Sequence, residues 1–163
     1  RSALLQRDGD VVDVDGTSAV SFGLPPANYF MALLHRNHLG VMTASSVALG
    51  AAAVSVDFTS NATTTYGTDA RRSVTGAFPA ELLWSGDVNF DHSLKYVGTG
   101  NDRDLILSSI GSSIPTNTIT GYHMEDVNMD GVVKYVGSAN DRDPILFAIG
   151  GTVPTDTRPE QLP

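Results

Sequence analysis

Asp87, Asn89 and Asp91, and again Asp126, Asn128 and Asp130, put side-chain oxygens at alternate positions of two short polar stretches. In a tight turn that spacing turns the oxygens toward one centre, and the ion such a centre suits is calcium, which takes carboxylate, amide and carbonyl oxygens together. In the standard calcium loop the first, third and fifth positions give side-chain oxygens and the seventh gives a backbone carbonyl. Those roles fall to Asp87, Asn89, Asp91 and Ser93, and in the second stretch to Asp126, Asn128, Asp130 and Val132. Leu94 and Val133 follow as the apolar residues that tie paired loops together. The alternative is a pair of acidic, solvated turns without an ion, but uncompensated acids such as Asp87, Asp91 and Asp104 would then repel one another at close range.

The closing, twelfth position departs from the standard, because Gly98 and Gly137 stand there and carry no carboxylate. The closing acid must come later, after an insertion of about six residues. Asp104 and Asp143 are the first candidates, since each precedes an apolar helical run: Leu105, Ile106, Leu107 and Ile110, or Ile145, Leu146, Phe147 and Ile149. Asp102 and Asp141 are second candidates, or helix N-caps. At the sixth position, where the chain turns sharply, the second loop has Gly131 and the first has His92, which makes the first loop the weaker site.

These residues belong to one stretch used twice, residues 86–107 and 125–146, in which Lys95 and Tyr96 also match Lys134 and Tyr135. Repeats of this fidelity define the organisation of a chain. The paired Asp-Val-Asn-x-Asp segments, each leading into a short apolar helix, resemble a dockerin-type module, the duplicated half-EF-hand. The run Val-Lys-Tyr-Val-Gly-Ser-Ala-Asn-Asp-Arg-Asp-Pro-Ile-Leu and the upstream Ser-Ala-Leu-Leu-Gln-Arg-Asp-Gly-Asp and His-Arg-Asn-His-Leu-Gly-Val-Met-Thr look like the C-terminal ends of large secreted surface proteins of gliding bacteria. The resemblance spans nearly the whole chain. It implies an extracellular or cell-surface, calcium-binding, non-catalytic region with two calcium ions, and the loop insertion sets it apart from ordinary dockerins and their receptors.

The elements that must position these loops are read from the remaining sequence. Of 18 acids, half lie in the loop segments, and the net charge is -8. Ten basic residues without a stripe exclude nucleic acid as a partner. With no cysteine, disulfides cannot staple the fold, and calcium is the available substitute. The most apolar stretch, residues 47–56, is broken by Gly50 and Ser55 and is too short to span a bilayer. An opening at Arg1 rather than Met reads as a processed product or a fragment.

Residues 1–80 read as an immunoglobulin-like antiparallel β-sandwich: strands at 3–7, 10–14, 19–22, 29–36 (the central, buried one), 41–47 and 51–58, with hairpin turns at Asp8-Gly9 and Asp15-Gly16. Residues 81–153 form the double calcium-loop module and residues 154–163 a Pro-rich tail. Trp84 packs the sheet against the module. His35 and His38 flank a turn, too few ligands for zinc, while His92 and His123 are loop residues. Asn61-Ala62-Thr63 fits the acceptor pattern for a glycan, a motif short enough to recur by chance.

No nucleophile elbow or phosphate-cradling loop is present, and Asp102 with Asp104 mimics a glycosidase dyad less well than it fits a calcium loop. The functional expectation is a structural building block of a surface structure or filament, self-associating into a homopolymer. A binding module that attaches a secreted enzyme or adhesin to another secreted or surface protein is the alternative. About six strands is one fewer than the seven of a minimal sandwich, so a neighbouring copy is expected to donate one, from its N-terminal segment or from its tail after Val153.

Overall fold

The computed structural model describes residues 1–6 and 9–163. It is mainly β: two-stranded antiparallel sheets with two short helices. The first sheet pairs β1 (Leu4–Leu5) with β2 (Val11–Val12), Leu4 opposite Val12 and Leu5 opposite Val11, one residue off the register that a two-residue turn at Asp8-Gly9 would set; Arg7 and Asp8 lie outside the described residues. Strand signals at 19–22 yield only a bridge from Val12 to Ala19, and those at 51–58 yield no strand.

The central buried strand expected over residues 29–36 is corrected. The chain forms β3 (Ala27–Tyr29) and β4 (Ala32–Leu33), which fold back on β6 (Val47–Leu49) and β5 (Val41–Met42). Met31 and Leu33 turn inward, while Phe30 and Leu34 are 56% and 64% exposed. A run of consecutive apolar residues looks like a two-face-buried strand, but here period-two alternation gives it one inner and one open face. The sequence reading also missed the hairpin of β7 (Arg71–Val74) and β8 (Ala80–Leu83). Arg71 holds it to the preceding loop, its guanidinium donating to the carbonyls of Phe58 (2.6 Å), Ser60 (3.0 Å) and Thr63 (2.5 Å).

The core lies in the second half. Of the buried apolar residues only Leu39, Val41 and Ala70 precede Trp84. Val88, Val127, Ile106, Ile145, Val133 and Ile110 form one cluster, and Leu39, Leu94, Ala148 and Ile149 form another, against which Trp84 packs as expected. Helices α1 (Asp102–Ser109) and α2 (Arg142–Ala148) supply Ile106, Ile145 and Ala148, and Ile110 and Ile149 follow at their C-caps.

Around the helices run β9 (Ser93–Lys95), β10 (Thr118–Thr120), β11 (Val132–Lys134) and β12 (Thr157–Pro159). Leu94 and Val133 do not tie the two loops to each other, which corrects the expectation drawn from paired calcium loops. Instead β11 pairs with β10, and β9 pairs with β12. The strand that follows each helix has entered the space where the loops would have met.

The residues expected to trail as a Pro-rich tail therefore close the module. The duplication continues to them with the same offset of 39 residues, Ile114-Pro115-Thr116-Asn117-Thr118 answering Val153-Pro154-Thr155-Asp156-Thr157. Pro159 is tolerated because β12 is an edge strand, whose outer side asks for no donor. No helix among the described residues is long and apolar enough to cross a membrane.

Asn37 is among the residues that join the halves. Asn37, fully buried, accepts at its backbone carbonyl from the N–H groups of Gly86 (2.7 Å) and Asp87 (3.0 Å). Its side-chain amide donates to the carbonyls of Met124 (2.6 Å) and Asp126 (3.0 Å). Gly86 is required at this contact: its φ is 124°, and a Cβ would meet Ile145 Cγ1 at 2.8 Å. Asn37→Ala leaves the Met124 carbonyl without its donor and the Asp126 carbonyl with only the Arg36 guanidinium (3.2 Å), and is expected to cost about 1–3 kcal/mol in denaturant unfolding. Asn37→Asp, which adds a buried carboxylate facing those carbonyls, is expected to cost more.

Candidate metal centre

The first loop is built by its own side chains. Asp87 accepts from the N–H of Asp91 (3.1 Å) through Oδ1 and of His92 (3.2 Å) through Oδ2. Asn89 Oδ1 accepts from Asp91 N–H at 2.8 Å, and Asp91 Oδ1 from Ser93 N–H at 3.0 Å. The second loop repeats this bond for bond: Asp126 with Asp130 (3.1 Å) and Gly131 (3.0 Å), Asn128 with Asp130 (2.8 Å), Asp130 with Val132 (2.9 Å). His92 takes the left-handed φ of 63° that Gly131 takes at 85°, so the sixth position turns the chain in both loops. Phe90 and Met129 are left-handed as well, at 59° and 60°, and neither had a sequence signal.

The order of preference for the later acids is reversed. Asp104 and Asp143 stand in capping boxes at the helix starts: Asn101 Oδ1 accepts from Asp104 N–H (2.9 Å) while Asn101 Nδ2 donates to Asp104 Oδ2 (2.8 Å). Asn140 and Asp143 repeat it at 3.0 and 2.7 Å. The bond from Asn101 is the chief reason the Asp104 carboxyl is held below the usual carboxylate range. The caps are thus the asparagines, and Asp102 and Asp141 are not capping side chains.

Asp102 and Asp141 instead enter the loops, completely buried. Asp102 Oδ1 accepts from Val88 (2.9 Å) and Asn89 (3.3 Å) N–H and Oδ2 from Lys95 N–H (2.9 Å). Asp141 makes the same three bonds to Val127 (2.8 Å), Asn128 (3.2 Å) and Lys134 (2.7 Å). Each carboxylate clasps the two ends of its loop, and three of its roughly four lone-pair sites are spent on N–H groups. Burial pushes the Asp102 carboxyl up to about 6 despite those donors, and raises Asp87 and Asp141 for the same reason.

No three Asp, Glu, His or Cys side chains converge as a metal cluster among the described residues. The donor set left to an ion in each loop is two carboxylates, one amide and the seventh-position carbonyl, which suits calcium in oxygen chemistry and leaves further ligands to solvent. The loops differ in one respect. Lys95 Nζ lies 2.8 Å from Asp91 Oδ2, supplying the first loop with positive charge, whereas Asp130 has no ion pair among the described residues. Among those residues Asp87, Asp102, Asp126 and Asp141 have none either, so four buried carboxylates lack a cationic side chain.

His92 pairs with Glu160 (2.9 Å), and His123 bonds to its own loop at Thr120. His35 and His38 face each other with their Nδ1 atoms 3.3 Å apart, and among the described residues no third ligand stands beside them. Asn61 is exposed on a turn. No family model matches the chain, and no curated protein or solved structure matches it either.

Two expectations follow. Asp102→Ala orphans three N–H groups and should lower the melting temperature well beyond Asp104→Ala, which removes half of a capping box worth about 1 kcal/mol. His38 has its pKa depressed to about 4, first by burial and then by the charges of His35 and Arg36. Its unfolded value is 6.5, so its contribution to stability is complete above that pH and is lost as pH falls toward 4. The raised carboxyls trend the other way. Denaturation of His38→Gln against the native chain from pH 7 to 4 isolates the histidine, the variant losing less.

Proposed function

We propose that residues 86–163 form a calcium-stabilised, non-catalytic module of an extracellular or cell-surface protein, and that the chain is a structural building block that associates with its own copies. The observation that carries this reading is the duplication of the oxygen-bearing loop, hydrogen bond for hydrogen bond, around two sets of acids that no basic side chain fully neutralises. Asp87, Asn89, Asp91 and the Ser93 carbonyl hold one ion, and Asp126, Asn128, Asp130 and the Val132 carbonyl hold the other. The ion supplies the positive charge that gathers these oxygens. Asp102 and Asp141 fix the loop ends, and Asp104 and Asp143 fix the helices. With few protein carboxylates per site, the affinity falls among extracellular modules, near 10⁻⁴–10⁻³ M, roughly, where calcium is abundant outside cells.

The structural role is supported by the first 80 residues. Their hairpins leave Leu4, Leu5, Phe22, Leu24, Phe30 and Leu34 exposed, an apolar complement suited to an immunoglobulin-like sandwich that neighbouring copies complete. Asn61 is where a glycan would stand clear of such contacts. A second reading, a dockerin-like module docking a secreted enzyme or adhesin onto a partner, is favoured by a cleft of about 600 Å³ between β7–β8 and α2, floored by Trp84 and the exposed ring of Phe147.

Calorimetric titration with calcium is expected to show two sites, the tighter one lost in Asp130→Ala and the weaker one in Asp91→Ala. Lys95→Met, which removes the competing charge, should tighten the weaker site. At a hundredfold excess of calcium over the dissociation constant each site should add about 2.7 kcal/mol to stability. Equal melting temperatures in calcium and in chelator would sink the calcium reading. Particles that grow with protein concentration, seen by light scattering, favour the building block, and a saturating one-to-one complex with a different protein favours docking.

A further inference from the structure

We propose that β12 is an exchangeable strand: in the assembled protein it leaves its own β9 and pairs, in the same register, with β9 of a second copy of this chain. This rests on the self-association reading and names its surface. Within one chain the strand after each helix crosses to the loop of the other repeat, β10 to β11 and β12 to β9, with three residue pairs in each case. Such a contact joins the end of one unit to the start of another. It closes within the chain when the linker brings the strand back, and it passes to a neighbour otherwise, giving a reciprocal dimer or an open fibre.

Only β12 can make that exchange cheaply. β10 is followed by the second loop and cannot move without it, whereas β12 lies beyond Ile149, the last residue of the buried apolar core. What holds residues 157–161 is polar and specific. Glu160 N–H donates to the His92 carbonyl (2.8 Å), and Glu160 Oε1 accepts from Gly40 N–H (2.6 Å). Gln161 Oε1 accepts from the N–H groups of Thr68 (2.6 Å) and Asp69 (3.1 Å). Arg158 stacks on Trp84 at 3.7 Å and pairs with Asp69. Release therefore forfeits little apolar burial, and every one of these bonds is remade with an identical partner group. The connection from α2 runs through Gly150 and Gly151, at φ 117° and 80°, where a hinge meets little steric resistance.

The chain has no cysteine, so cross-links report pairing directly. Lys95 and Thr157 are opposite each other across β9 and β12, within disulfide reach for an antiparallel pair. Differently tagged Lys95→Cys and Thr157→Cys chains are mixed across a range of concentrations, in calcium and in chelator, and oxidised. The expected result is a mixed dimer in excess over both same-variant dimers, its share rising with concentration, while the Lys95→Cys/Thr157→Cys double variant closes within one chain when dilute. A double variant that closes internally, with mixed dimers no commoner than same-variant ones at any concentration, overturns the proposal. So does a double variant that forms no bond at all. Concentration-dependent particles without mixed dimers would leave self-association standing and remove β12 as its strand.

Discussion

The placement of the two copied loops depends on how Asn37 is held. Its backbone carbonyl takes the two N–H groups that open the first loop, and its amide gives two donors to the carbonyls that open the second. One residue at the meeting point of two copied loops thus fixes where each of them begins, through its backbone for the first and its side chain for the second, with Arg36 stacked on Tyr122 and bonded beside it. Buried amides bonded in this way specify a single arrangement, because any slip leaves several polar groups unsatisfied together. The loops consequently cannot reorganise independently of the first half of the chain. The first half, with few buried apolar residues of its own, is anchored by the same bonds.

The second constraint is the clasp made by Asp102 and Asp141. A loop lengthened between its seventh position and its helix loses the direct closure that an acid at the twelfth position gives, and the strand at the seventh position would drift from the first turn. A carboxylate that accepts N–H groups from both ends restores the closure without needing an ion for it. The same solution appears twice to within about 0.2 Å, so it follows from the repeated sequence and not from its surroundings. On the calcium reading proposed above, an ion would add to a loop that is already closed, with oxygens oriented by backbone bonds.

How much of this was legible follows from the kind of signal each part carries. The loop turns were readable because the spacing of their side-chain oxygens is local: Asp87, Asn89, Asp91 and their copies fall into turns whatever the rest does. The helices were readable from Leu105 to Ile110 and from Ile145 to Ile149. What could not be read was which later acid entered the loop, since Asp102 and Asp104 differ only in which side of a helix start they occupy. Asn101 and Asn140, three residues ahead of Asp104 and Asp143, were the available signal: an asparagine followed by an acid at that spacing is a capping box, and it claims the acid. The strand at 29–36 was misread because five apolar residues in sequence, Phe30 to Leu34, hide the alternation of their surroundings. The 71–74 and 80–83 hairpin was missed because its inward arginine bonds to carbonyls, which no hydrophobic pattern reveals.

The pairing of β12 shows how repetition changes what a strand can do. In a domain without internal symmetry, a strand has one place to pair. Here β10 and β12 are equivalents, and β12 completes for the first loop what β10 completes for the second, with the matching bonds from Glu160 to His92 and from Gly121 to Gly131. The first unit cannot be complete until the second has been made, so the order of synthesis and the order of closure run in opposite directions. Between the two, β9 presents an unpaired edge beside the first loop, the loop whose Asp91 is already paired with Lys95. An edge of that kind is a template for pairing. On the proposed exchange, intramolecular reach favours the chain's own β12 at low concentration, and at high concentration a neighbour's strand competes on equal bonds. The same ladder would then both close the module and join it to another.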